Sequence, residues 1–331
     1  MMKRFTQLIL TAIILPVLAA SCGKEENEPP QNIDYRQEMR SFVKDISSQA
    51  KNLKPRFLII PQNGQALFTD NGEPDGTPQT DYLDAVDATG REDLFYGYDN
   101  DDEATPADEN QYMRDLCLLA EQYGIEVLTT DYCSTHSKMD NSYLQNNLLG
   151  FISFAADNRQ LNNIPAYPEQ PYNVNPDDIT EIAQAKNFLY LINGENFAEK
   201  QDLINAVSAT DYDLVILDLF QNDESWTPQE IEMMKTKQNG GRRLVVCYVS
   251  IGEAEDYRYY WQQDWYDDKP AWLETENPDW EGNFKVRYWN PDWQSLICGN
   301  DDSYIKKIVD AGFDGAYLDI IDAYEYFEEK Y

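Results

Sequence analysis

Short apolar, β-branched runs alternate along the chain with amphipathic stretches of helical period. Tyr35, Met39, Phe42, Val43, Ile46, Ala50 and Leu53 recur at helical spacing, so residues 34–53 predict an amphipathic helix that Pro55 stops. Strands are predicted at 56–62 (RFLIIPQ), 93–99 (DLFYGYD), 125–131 (IEVLTTD), 187–193 (NFLYLIN), 213–219 (DLVILDL), 244–250 (LVVCYVS), 285–289 (KVRYW) and 314–320 (DGAYLDI). Helical patterns fall between most of them: 109–123 with Gly124 as cap, 138–160, one starting near Asp177, 197–209, one opened by Thr227-Pro228-Gln229-Glu230, and 301–310. Residues 65–92 and the proline-rich 164–176 carry no clear period and read as connections. Strands separated by helices imply an α/β fold with parallel pairing. Eight such units in this length favour a closed (β/α)8 TIM-type barrel over an open sheet, as a single domain over residues 34–331.

Ahead of that domain the pattern changes. Lys3 and Arg4, an apolar stretch at 8–18 and small residues before Cys22 form an export signal over residues 1–21. A cysteine directly after the small residues resembles a bacterial lipoprotein cleavage site, with Cys22 lipidated and residues 22–33 as a polar tether. The protein is therefore expected to be exported and lipid-anchored, in a bacterial outer membrane or at the cell surface, touching the membrane only through its N-terminal lipid. An ordinary cleaved signal with an incidental cysteine is the alternative.

Charge narrows the partners. Removing Lys3 and Arg4 from the 26 basic residues leaves 24 against 60 acidic ones, a net charge of −36. Such a field disfavours nucleic acid and anionic lipid and suits neutral or cationic ligands, although acidity also serves solubility alone. A monomer is expected. Four cysteines remain beyond Cys22, and the sequence does not choose among their pairings. His136 is the one histidine, and no CxxC, GxSxG, Walker loop or GxGxxG occurs, so no metal or other cofactor is expected. The acidic run 98–110 lacks the glycine and terminal glutamate of a calcium loop and reads as solvated.

Candidate chemistry sits at the predicted strand ends. Asp99, Asp131, Asp218, Glu253 and Asp319 lie at or just past the C-termini of five strands, where an unpaired carboxylate is costly to desolvate and where a barrel gathers its site. Carboxylates without a histidine cluster suit glycoside hydrolysis, which uses one protonated acid and one carboxylate. Asp319, Glu253, Asp131 and Asp218 are the candidate catalytic residues. Gln62, Asn63, Tyr98, Tyr132, Tyr248, Tyr257 and Trp289 are the candidate sugar-binding ones, through amides, hydroxyls and flat faces.

At SIGEAEDYRYYW (250–261), GNFKVRYWNPDWQ (282–294) and AGFDGAYLDIIDAYEYF (311–327) the chain resembles glycoside hydrolase family 114, the endo-α-1,4-polygalactosaminidase-like barrels. IIPQNG (59–64), DLFYGY (93–98) and TTDYCST (129–135) resemble further blocks of that family. The resemblance implies a TIM-type barrel that cleaves α-1,4-linked galactosamine polymers, cationic where deacetylated, with acids at Asp319, Asp131, Glu253 and Asp218. The SIGEAED block usually lies early in such domains and here lies in the last third, so a circular permutation is expected. Asp131 stands where the family pattern calls for Glu. A catalytically silent glycan-binding lipoprotein on the same barrel is the alternative function.

Overall fold

Asp34 starts the first helix among the described residues by accepting a hydrogen bond from the Gln37 N–H at 2.9 Å. This helix, Tyr35–Leu53, buries its stripe of Met39, Phe42, Val43, Ile46 and Ala50 completely. The structure, a computed structural model, describes residues 33–331. The signal expected at 1–21, Cys22 and all but the last residue of the tether expected at 22–33 lie outside the described residues.

Eight parallel strands organise the described residues: β1 (Leu58–Pro61), β2 (Ala88–Glu92), β3 (Glu126–Tyr132), β4 (Ile152–Ala156), β5 (Phe188–Leu191), β6 (Leu214–Leu217), β7 (Leu244–Ser250) and β8 (Gly315–Asp319). They form two parallel sheets. One has the order β1-β8-β7-β6-β5 and the other β2-β3-β4. A parallel bridge between Gln62 and Gly90 joins the end of β1 to β2. Between β4 and β5 there is no ladder among the described residues, but the rings of Phe154 and Phe188 meet across the gap at 5.7 Å. The class is thus mixed α/β with parallel sheets, and helices precede or follow most strands.

Two of the expected strands are corrected. Residues 93–99 are not a strand: β2 lies just before them, and Asp93, at φ +59, turns the chain out of the extended region. Nor does 285–289 join the parallel set. Asn283–Val286 pairs antiparallel with Glu253–Glu255 and Leu273–Glu276, making a three-stranded ribbon in the connection between β7 and β8. The eighth parallel strand is β4, inside the stretch 138–160 that reads as helix. There the helix His136–Leu149 stops at Gly150, whose φ of +87 is a left-handed cap, and ISFAA continues as strand. Of the helix expected near Asp177, a single short turn at Ile182–Gln184 is present. By contrast, Thr227 caps Pro228–Met234 with the reciprocal Thr–Glu230 pair that its sequence predicts.

Burial follows the parallel pattern. All seven residues of β7 and all four of β5 and of β6 are buried, as continuous apolar strands covered on both faces must be. Cys117, Cys133, Cys247 and Cys298 are all buried and free. They act as small core side chains.

Candidate active site

The C-terminal ends of the strands surround a cavity of about 530 Å³, a size typical of small-molecule sites. Gln62 follows β1, Glu92 ends β2, Tyr132 ends β3, Tyr190 lies in β5, Asp218 follows β6, Tyr248 lies in β7 and Asp319 ends β8; all line it. Three of these ends share a backbone device. Asn63, Asp93 and Ile320, each next after a cavity residue, have φ of 63, 59 and 57°. A left-handed residue bends the strand away abruptly, so the preceding side chain is left facing the cavity. For β-branched Ile320 that conformation is strained, and strain of this kind concentrates at functional sites.

Asp319 occupies one side of the floor. Its Oδ2 accepts a hydrogen bond from the Tyr248 hydroxyl at 2.6 Å and its Oδ1 one from the Ile320 N–H at 2.7 Å. Burial, followed by the nearby Glu92 carboxylate, pushes its pKa up to about 8, against the pull of those two donors. Asp319 is therefore largely protonated at neutral pH. Glu92 is held differently, among the described residues by neutral donors alone: the Tyr132 hydroxyl, the Gln62 amide, and the Asn63 amide at 2.8 Å. Gln62 is itself fixed by the Tyr190 hydroxyl, which donates to its Oε1 at 2.8 Å.

Close packing sets this arrangement from beneath. A Cβ on Gly90 would lie 1.8 Å from the Tyr317 hydroxyl, so only glycine lets β2 approach β8 at that level. Tyr317 also meets the Tyr190 ring edge-on at 5.2 Å.

A second carboxylate group is built around Arg258. Its Nη1 and Nη2 donate to Asp218 at 2.8 and 2.7 Å, and its Nε donates to Glu255 at 2.6 Å. Burial alone would lower the guanidinium pKa, but Asp218 and Glu255 hold it well above the ordinary value. The Tyr257 hydroxyl donates to Glu255 at 2.6 Å. Across the cavity, Arg159 lies over the Tyr132 ring at 3.8 Å and is tied to Asp93 and Asp101, each at 2.8 Å.

The residues singled out in the sequence divide accordingly. Asp319, Asp218, Gln62, Tyr132, Tyr248 and Tyr257 line the cavity, and Asn63 supports Glu92 from behind. Asp131 does not reach it. Its carboxylate is fully buried, accepting from the Phe95 and Tyr96 N–H groups, Ser142 Oγ and Asn146 Nδ2, and so pins the 93–99 segment to the helix His136–Leu149. Glu253 turns into the ribbon, where Asn277 Nδ2 reaches it at 2.9 Å; Glu255, two residues on, takes the cavity position. Trp289 packs in an aromatic cluster with Tyr35, Tyr288 and Phe327. Tyr98 is exposed away from the cavity lining, as is Asp99. Glu92, Glu255, Arg258, Arg159 and Tyr190 escaped the sequence reading. For Glu92 the available signal was its place immediately before a turn.

Known proteins are similar to this chain over part of the elements that line the cavity. Residues 171–330 match the family model described as Glycoside-hydrolase family GH114, a span that includes Asp218, Glu255, Arg258 and Asp319 but not Gln62, Glu92 or Tyr132. An uncharacterized protein of Methanocaldococcus jannaschii is 35% identical over 182 residues, covering 54% of this chain and 50% of that protein. Uncharacterized proteins of Deinococcus radiodurans and Thermotoga maritima are 40% and 35% identical over 130 and 127 residues, covering 39% and 38% of this chain and 40% and 37% of their own length. The chain thus spans half or less of the curated relatives it matches. Through residues 171–330, just under half of its length, this chain is similar to glycoside-hydrolase family GH114.

Proposed function

We propose that the protein hydrolyses glycosidic bonds with Asp319 as proton donor and Glu92 as the second carboxylate. One observation carries the reading: a carboxyl with a pKa of about 8 lies beside a carboxylate held only by neutral donors, in one cavity. A glycosidase needs a proton donor and a second carboxyl that share one cavity, as Asp319 and Glu92 do. Asp319 passes its proton to the leaving glycosidic oxygen. Glu92 attacks the anomeric carbon or draws a proton from the attacking water, according to the separation of the pair. Asp218 and Glu255 are less suited to that role because Arg258 engages both.

The substrate is an α-1,4-linked galactosamine-type polymer, cut internally. Besides the protonated Asp319, six acidic side chains line the cavity (Glu92, Glu195, Asp218, Asp223, Glu255 and Glu281) against two arginines, both already paired, so a cationic amino sugar suits it. In this reading the two sheets are arcs of one (β/α)8 barrel whose units are circularly permuted. The protein acts as a monomer on the outer membrane or cell surface, held by a lipid on Cys22.

Reducing-end release from a partly deacetylated α-1,4-galactosamine polymer tests the activity. Wild type releases ends, while Glu92→Gln and Asp319→Asn do not. Saturable binding of the polymer by wild type without any release would make the protein a glycan-binding one instead.

A further inference from the structure

The cavity has an aromatic rim that the proposed chemistry does not use. Trp280 and Tyr257 line it from the ribbon connection rather than from strand ends, and they are 46% and 58% exposed. Looseness does not explain that exposure. The neighbouring aromatics are tightly packed: Trp261 lies 5.2 Å from Trp265 and 4.9 Å from Phe284, and Trp265 lies 5.0 Å from Trp272. Among the described residues Trp280 has no aromatic or cationic partner for its ring, so its face is left for a ligand.

Its loop is nevertheless fixed. Asn277 Nδ2 donates to the buried Glu253 Oε1 at 2.9 Å, the Gly282 N–H donates to Glu276 Oε1 at 2.8 Å, and the Trp280 N–H and C=O close turns with Asn277 and Asn283. Tyr257 is held by its bond to Glu255, with the Arg258 guanidinium 5.0 Å from its ring centroid. With the Trp280 backbone fixed and the Tyr257 hydroxyl already bonded, less conformational freedom is lost when a ligand arrives than on an unpinned loop. Glu281 adds a carboxylate beside Trp280 in the same lining.

We infer that Trp280, with Tyr257 and Glu281, forms a second sugar subsite at the cavity mouth. It stacks on a pyranose of the bound chain remote from the bond being cut and attracts that sugar's ammonium. Glu253 is then a positioning residue, acting through Asn277 on the Trp280 loop. The inference rests on the glycoside-hydrolase reading.

The test uses Asp319→Asn protein, so that no turnover disturbs the titration, and the partly deacetylated α-1,4-galactosamine polymer and its trisaccharide as probes. The polymer binds more tightly than the trisaccharide. Adding Trp280→Ala lowers the ratio of the two affinities about tenfold, and adding Asn277→Ala lowers it in the same direction by a smaller factor. An unchanged ratio overturns the subsite while leaving the hydrolase reading in place. Failure of Asp319→Asn to bind either saccharide overturns both.

Discussion

Replacing Arg258 with methionine would leave Asp218 and Glu255 facing one another without the cation that joins them. The arginine side chain is 6% exposed and those of Asp218 and Glu255 are 12% and 3% exposed, so water cannot take over its role. Removing one member of a buried ion pair costs about 3–5 kcal/mol, most of it from the charge left behind. Part of that cost is avoidable, because one of the two carboxyls can keep a proton when its partner is ionised. In the variant a folded-state pKa is raised above its unfolded value, so the loss is smallest in acid and grows as pH rises, by up to about 1.4 kcal/mol per pH unit for one proton. Urea denaturation of wild type and Arg258→Met at about pH 5 and about pH 8 measures this, with the larger deficit at the higher pH. A deficit below about 1 kcal/mol at both pH values, or one that shrinks as pH rises, would mean that Arg258 does not hold the two carboxylates together.

Other outcomes follow from the same contacts. Asp131→Ala leaves two backbone N–H groups, Ser142 and Asn146 without their acceptor and is expected to cost at least about 3 kcal/mol in thermal or urea unfolding; a loss under about 1 kcal/mol would show that the carboxylate is not the knot described. The raised pKa of Asp319 makes its contribution to stability full below the unfolded carboxyl range and lost as pH rises through about 8. Asp319→Asn should therefore gain stability relative to wild type between about pH 4 and about pH 8, and a difference in unfolding midpoint that stays flat across that interval would contradict the shift. Tyr132→Phe removes one of the neutral donors to Glu92, and a loss of about 1 kcal/mol in transition-state stabilisation, read from kcat/KM, is expected; a rate within twofold of wild type would argue that Glu92 does not depend on it.

How far the sequence revealed these features depended on what kind of residue marked them. β7 was legible from end to end because LVVCYVS is a continuous apolar run between Gly241 and Gly252, and β8 because Gly312 and Gly315 lead directly into AYLD. β2 was not, since ATGRE contains no apolar run. Its glycine, a strand breaker by local preference, is required there by the Tyr317 ring from β8. The apolar DLFYGYD beside it drew the assignment instead. β4 was hidden behind a helix that only Gly150 interrupts. In the site, the same ambiguity placed the carboxylate two residues early, at Glu253 instead of Glu255: both lie on one strand, and only the ribbon's Asn277 and Lys285 decide which of them is covered. Arg258 carried no local signal at all, because its role arises from two carboxylates brought together by β6 and the ribbon.

Asp319 is, in the proposed reaction, the proton donor of a glycosidase. The most direct test of that role is the rate of reducing-end release from a partly deacetylated α-1,4-galactosamine polymer, measured across pH for wild type and Asp319→Asn. The predicted result is a wild-type rate that falls as pH rises through about 8, and a variant slower by at least about a hundredfold at neutral pH, the contribution expected of a general acid. A variant as fast as wild type would contradict it.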